Sequence, residues 1–178
     1  MAADRPIRRA TIGLASVAAA TLVTGCLPAG GRIAAPAATP VFDPIAFFRG
    51  ATHGTGMLAV VFHHRQTTDV RGFGTVQDDG SIQLDQDVMR DGAKPQHRTW
   101  RLRATTPGHY AGTLTDAVGP VVADATGNQL HIRFAMKGGL RVDQRLALQP
   151  EGRVALNRMT VTKLGIVVAR LDERIERR

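Results

Sequence analysis

Leu140-Arg141-Val142-Asp143-Gln144-Arg145-Leu146-Ala147-Leu148 places an apolar side chain at every second position, interrupted once by Gln144. Successive side chains of a strand point to opposite faces, so this run predicts a strand with one face on a core and one in water. The same period extends outward in both directions. Upstream, Ile82, Leu84, Gln86 and Val88 share a face, as do Arg98, Trp100 and Leu102. Tyr110, Gly112, Leu114 and Asp116 form another set, followed by Ile132, Phe134 and Met136, and the pattern resumes from Val154 to Val161. Between these runs lie Asp78-Asp79-Gly80, Asp91-Gly92, Pro107-Gly108, Gly127-Asn128, Gly138-Gly139 and Pro150-Glu151-Gly152. They are turn formers spaced at intervals of roughly 8–14 residues.

Roughly eight to ten antiparallel strands with short links predict an all-β fold, an up-and-down antiparallel barrel. Closure removes the exposed edges that such a meander would otherwise leave. A two-sheet sandwich is the main rival, and hairpin links throughout favour the meander. One helical signal precedes the strands. Asp43 can cap free amides, Pro44 suits the first helical position, and Gly50 can take a left-handed stop. Phe47 and Phe48 then give this short N-terminal turn an apolar plug for one end of the barrel.

The chain begins differently. Arg5, Arg8 and Arg9 precede a largely apolar stretch from Ala10 to Val23, too short to span a bilayer core of roughly 30 Å as a helix. It ends in Val23-Thr24-Gly25-Cys26, which contains the single cysteine. Residues 1–25 read as an export signal, with Cys26 as the lipid attachment point that becomes the new N-terminus. Each buried methylene contributes ~0.8 kcal/mol, so two or three acyl chains hold firmly where one does not. Leu27 follows the cysteine, which by analogy with enteric bacteria favours the outer over the inner membrane. Arg8-Arg9 also admits a twin-arginine reading, but the residues after the pair fit it poorly.

Residues 26–40 include the Gly/Ala/Pro-rich run Gly30–Pro40 and read as a flexible tether; residues 41–178 form the barrel domain. That domain is long enough for one core. The expected address is the cell envelope, lipid-anchored and facing the periplasm.

The full chain carries 23 Lys and Arg against 15 Asp and Glu, a formal charge of +8. Losing residues 1–25 removes Asp4, Arg5, Arg8 and Arg9, which leaves a basic surplus. In an exported protein this points to phospholipid or lipopolysaccharide head groups, or simply to solvated arginines, and not to nucleic acid. With Cys26 acylated, no thiol remains for a disulfide.

Chemistry-bearing residues are few. Gln86, Arg98, Asp116 and Gln144 sit on otherwise apolar faces, beside Trp100 and Tyr110, and buried polar groups must find partners or a ligand. These six are the candidate ligand-binding residues. Arg98 can pack on Trp100 and bond a turn carbonyl or Asp116, or it can fix a ligand carboxylate or phosphate. His63 and His64, read as strand neighbours, point to opposite faces. His53, His97, His109 and His131 lie beside turns or opposite the apolar rows, so no metal site is expected. Ser81 lies in an acidic turn outside any nucleophile motif, and Gly54-Thr55-Gly56 lacks the helix and lysine of a phosphate loop. No catalytic residue and no cofactor is expected.

Phe47-Phe48-Arg49-Gly50, Arg98-Thr99-Trp100, Tyr110-Ala111-Gly112 with Asp116, Gly127-Asn128, and Leu156-Asn157-Arg158 with Lys163-Leu164-Gly165 occur in that order. In this the chain resembles a family of small proteobacterial lipoproteins grouped as a domain of unknown function, over residues 43–170. The resemblance implies a lipocalin-like barrel, a lipid anchor and no assigned reaction. Relatives tend to carry acids and aromatics where this chain has Gln86, Gln144 and Arg145, and of an Asp-Asp-Trp stretch only Asp143 remains. Amides bind but cannot transfer the proton that acid–base chemistry requires.

Three functions fit these observations. One is a barrel binding a fatty acid, lipid or other hydrophobic molecule. Another is a lipid-acting isomerase or hydrolase drawing on Asp116, Asp143 and Tyr110. The last is an envelope interaction protein working through its outer surface.

Overall fold

The computed structural model describes residues 35–178. One short helix, α1 (Pro44–Phe48), precedes ten strands. These are β1 (Gly50–Val60), β2 (Gln66–Val76), β3 (Ile82–Arg90), β4 (Gln96–Thr106) and β5 (His109–Leu114), then β6 (Val121–Thr126), β7 (Gln129–Met136), β8 (Leu140–Leu148), β9 (Val154–Lys163) and β10 (Ile166–Arg177). Each strand pairs antiparallel with its neighbour in sequence, and β10 returns to β1 to close the ring. The architecture is an up-and-down barrel, and closure excludes the sandwich. Among the described residues every strand and the buried core lie after residue 41, so residues 35–178 contain a closed ring of strands around a core of their own.

Two strands lie outside the apolar rows quoted from the sequence. The Gly54-Thr55-Gly56 run lies inside β1. Ile166–Arg177 forms β10, the longest of the described strands, with Ala169, Leu171 and Ile175 buried on one face. A register shift between Val167 and Ala169 bends its entry.

The barrel's two ends are built differently. At one end, Asp43 accepts hydrogen bonds from the Ile45 and Ala46 amides at 2.9 and 3.2 Å and caps α1. Gly50 supplies the left-handed turn, φ 80°, into β1. Phe42 and Phe47 are buried, with rings 5.2 Å apart, and the Phe48 ring stands edge-on to Phe47. Leu130, Leu146, Leu148 and Ala155 complete a solid core here. Removing either buried ring costs about 3–5 kcal/mol. A strap, Ala35–Val41, leads into this end. Ala37 exchanges two bonds with Asn128: its amide donates to Oδ1 at 2.7 Å, and its carbonyl accepts from the Asn128 amide at 2.8 Å.

At the other end, the inward-pointing Val60, Arg90, Met136, Leu140 and Val168 are only half-buried. That end is the mouth.

Candidate functional site

The ring encloses a cavity of about 360 Å³. Its wall is chiefly apolar, with Leu84, Leu114, Ile132, Phe134, Val161 and Leu171 among its lining residues, and Phe48 forms part of the plugged end. The volume lies at the small end of the range for small-molecule sites, about 300–1,000 Å³.

Polar groups converge on this space from two walls. On β3 and β4 the register sets Gln86 opposite Arg98 and Leu84 opposite Trp100. Gln86 Oε1 accepts from Arg98 Nε at 3.1 Å and from Trp100 Nε1 at 2.8 Å. The guanidinium carbon sits 5.9 Å from the indole centroid, within cation–π range. One amide oxygen therefore orients both side chains. Among the described residues, Arg98 makes no other hydrogen bond, and its two Nη groups are unpartnered. Loss of water lowers its pKa, while the charges of Glu173 and Asp116 pull it back up.

On β9 and β10, Asn157 Nδ2 donates to Glu173 Oε2 at 2.8 Å. Burial pushes the Glu173 carboxyl up, opposed by the Asn157 bond and by Arg98. Space for it comes from β1. A Cβ at Gly54 would lie 2.4 Å from Glu173 Oε1, and one at Gly56 would lie 2.9 Å from Glu173 Cβ and Thr68 Oγ1. Thr68 Oγ1 and Asn157 Oδ1, both buried on the cavity wall, have no partner. Such groups hydrogen-bond to something in a native protein, here a guest molecule or water.

Five of the six residues named from sequence, Gln86, Arg98, Trp100, Asp116 and Gln144, line the cavity. Asp116 sits at the mouth and forms no ion pair with Arg98 among the described residues, so its influence is through its field. Tyr110 does not line the cavity. It lies beside the plug, where burial and the Asp43 charge raise its pKa. Asp143 also leaves the acid–base set: it faces outward and accepts from His131 Nε2 at 2.6 Å. Glu173 and Asn157 were not selected from sequence, although Glu173 breaks the alternation Ala169, Leu171, Ile175 just as Gln144 breaks its own row. Cys26 lies outside the described residues.

The histidines belong to the exterior. His53, His97, His109 and His131 each bond an aspartate of the neighbouring strand, Asp69, Asp87, Asp124 and Asp143, at 2.6–2.8 Å. His63 and His64 occupy the turn between β1 and β2 and not a strand. Among the described residues, no group of three or more His, Cys, Asp or Glu is placed to hold a metal ion. Ser81 donates to Asp79 Oδ1 at 2.6 Å in its turn, and that bond lowers the Asp79 pKa.

A second, open groove of about 950 Å³ runs along the outer face beneath the strap. Outward-facing Met57 and Leu156 line it, and Arg158 and Asp172, also there, already satisfy each other at 2.6 Å. Unpartnered polar groups converge in the barrel interior instead.

A family model described as a protein of unknown function (DUF3833) matches residues 20–177. No curated protein sequence matches the chain. Among solved structures, an S-type phycobiliprotein lyase from Guillardia theta superposes with a TM-score of 0.60 at 6% identity, covering 75% of this chain and 90% of that one. A protein of unknown function from the DUF3598 family of Nostoc punctiforme gives 0.57 at 12% identity, covering 78% of this chain and 50% of the other. At such identities the likeness extends to the lipocalin-like barrel alone.

Proposed function

The chain belongs to the DUF3833 family of unknown function, and from that premise we propose that its barrel binds a small amphipathic molecule with an apolar body and an anionic head. A fatty acid or other acidic lipid has this chemistry. The carrying observation is Arg98: a guanidinium held by Gln86 and Trp100 inside an apolar cavity, with both Nη groups unpartnered. A carboxylate matches that fork with two parallel charge-assisted bonds. The apolar lining takes the rest of the molecule at about 25 cal/mol per Å² removed from water.

The sequence of the leader adds an address to this reading. Cys26 carries acyl chains, and the barrel stands in the periplasm tethered to a membrane, the outer one by the residue that follows the cysteine. A ligand vessel fixed to a membrane samples lipids at high local concentration.

A second reading draws on Glu173. A cavity carboxyl with a raised pKa has the character of a general acid or base, and Asn157 orients it. An isomerase or hydrolase acting on a lipid needs such a group. The binding reading explains more of the wall, because it also accounts for Gln86, Trp100 and the free face of Arg98.

Trp100 is the sole tryptophan and lines the cavity, so it reports occupancy directly. Titrating a medium-chain fatty acid against the alcohol of equal length tests the reading. The acid should change Trp100 emission, and Arg98→Met should weaken its binding by about 10- to 100-fold, the value of a charged hydrogen bond. Equal binding of acid and alcohol, unaffected by the substitution, would overturn it.

A further inference from the structure

We infer that the mouth of the barrel is a docking surface for an anionic lipid bilayer, with Phe62 and Leu164 as its inserting side chains. Phe62 is 96% exposed at the tip of the β1–β2 turn, and Leu164 is 92% exposed at the tip of the β9–β10 turn. The two turns are neighbours because β1 pairs with β10, and the Val61 amide donates to the Val168 carbonyl at 3.0 Å just beneath them. Ile166, also exposed, stands beside Leu164.

The backbone at these tips argues against chance exposure. Phe62 has φ 64° and Leu164 has φ 50°, and they are the non-glycine residues in the left-handed region among the described residues. That region costs a side-chain-bearing residue of this kind roughly 1–2 kcal/mol. Leu164-Gly165 is a two-residue hairpin link with both φ positive, a position where asparagine would be far easier. Strain that places an apolar side chain in water points to a use for it.

Charge identifies the occupant. Arg65, Lys94, Lys137 and Lys163 stand in or beside the turns at this end. Of the carboxylates there, Asp91 is bonded to the Thr67 amide and hydroxyl at 2.9 and 2.5 Å, and Asp116 lines the cavity. At the plugged end acids and bases balance more closely, with Asp78, Asp79 and Glu151 in the turns beside Arg49 and Arg153. A basic rim around apolar tips is complementary to acidic head groups over acyl chains, with each cation near the surface contributing about 1 kcal/mol. The strap, residues 35–41, enters at the opposite end and, among the described residues, does not cover this face. Docked this way, the mouth opens toward the hydrocarbon, so an acyl-bearing guest need not cross water. The inference itself does not depend on what the cavity holds.

Residues 35–178, without leader or anchor, supply the test by co-sedimentation with phosphatidylcholine vesicles with and without phosphatidylglycerol. The expected result is binding that requires phosphatidylglycerol and weakens with salt. Replacing Lys163 with Glu should weaken it about five-fold or more, as loss of a surface cation predicts. Phe62→Asn together with Leu164→Asn should weaken it about ten-fold or more. Asparagine suits both turns, so the melting temperature should hold or rise and separates lost docking from lost folding. If both vesicle types fail to bind, or if binding survives the asparagine pair, the proposal is overturned. Self-association through the same tips, seen as a dimer in sedimentation that the asparagine pair abolishes, would equally replace the bilayer with a second copy. Fatty-acid titration of the asparagine pair keeps the two proposals distinguishable: Trp100 should respond as in the parent chain.

Discussion

Gly54 stands against the carboxylate of Glu173 so closely that a methyl group at its Cα would fall 2.4 Å from Oε1. The barrel holds an ionisable group inside because the facing strand gives up side chains at two inward positions, Gly54 and Gly56. A carboxyl, its Asn157 donor and the Arg98 guanidinium consequently share one interior, with the acid on one wall and the cation on the other.

The two glycines should respond differently to alanine. At Gly54 the nearest atom is the far end of a flexible side chain, which can swing away at the expense of its Asn157 bond. At Gly56 the nearest atom is the Asp172 carbonyl oxygen, 2.6 Å away, and backbone must move. Gly54→Ala should cost about 1 kcal/mol, the worth of one hydrogen bond, and Gly56→Ala should cost more, as overpacking does. Urea unfolding of both variants checks the order; equal losses would show that the β1–β10 seam yields.

Glu173→Gln should flatten the pH dependence of stability. Burial raises this carboxyl above its ordinary 4.5, so the folded protein holds the proton more tightly than the unfolded chain does. Its contribution is fully present below the unfolded value and is lost as pH climbs through the raised folded value. Glutamine keeps an oxygen for Asn157 and has no such slope. It also removes one negative charge acting on Arg98, so a fatty acid should bind a few-fold more tightly at neutral pH. Melting curves from pH 4 to 8, with Trp100 titrations, read both effects.

Asn128→Ala should release the strap. Its side chain accepts from the Ala37 amide and donates to the Leu148 carbonyl at 3.0 Å, tying residues 35–41 to the plugged end. The expected loss is about 1–3 kcal/mol, since partners are left unsatisfied. Hydrogen exchange at the Ala37 and Phe42 amides should accelerate before exchange in β7 and β8 does.

Cys26→Ser should abolish incorporation of a labelled palmitate analogue and move the protein from the membrane to the soluble fraction. Persistence of label in the serine variant would remove the proposed anchor.

The barrel was legible because its cause is local. Alternation along Ile82–Val88 and Leu140–Leu148 states which side chains face inward, and Asp91-Gly92 or Gly138-Gly139 states where the chain reverses. Asp43, Pro44 and Gly50 marked the plug for the same reason, since capping needs only near neighbours. The site was legible in part. Gln86, Arg98, Asp116 and Gln144 were visible as polar breaks in apolar rows, and the cavity wall includes them all. Tyr110 and Asp143 misled because period two gives a face but neither a height along the barrel nor, with charged residues on both sides, which face is inner. Ile166–Arg177 is not among those rows because its charged residues are as many as its apolar ones, although Ala169, Leu171 and Ile175 keep the alternation.

By itself the sequence determined a closed meander of strands, its helical plug and a short roster of inward polar groups, because those follow from side-chain direction and turn chemistry within a few residues. Only the tertiary structure decided that Glu173 faces Gly54 and Gly56, that Gln86 serves Arg98 and Trp100 together, and that Phe62 and Leu164 meet at one rim. Each of these pairings depends on cross-strand register around a closed ring. Register joins residues more than a hundred positions apart, as in Gly54 with Ile175, and no local pattern encodes it.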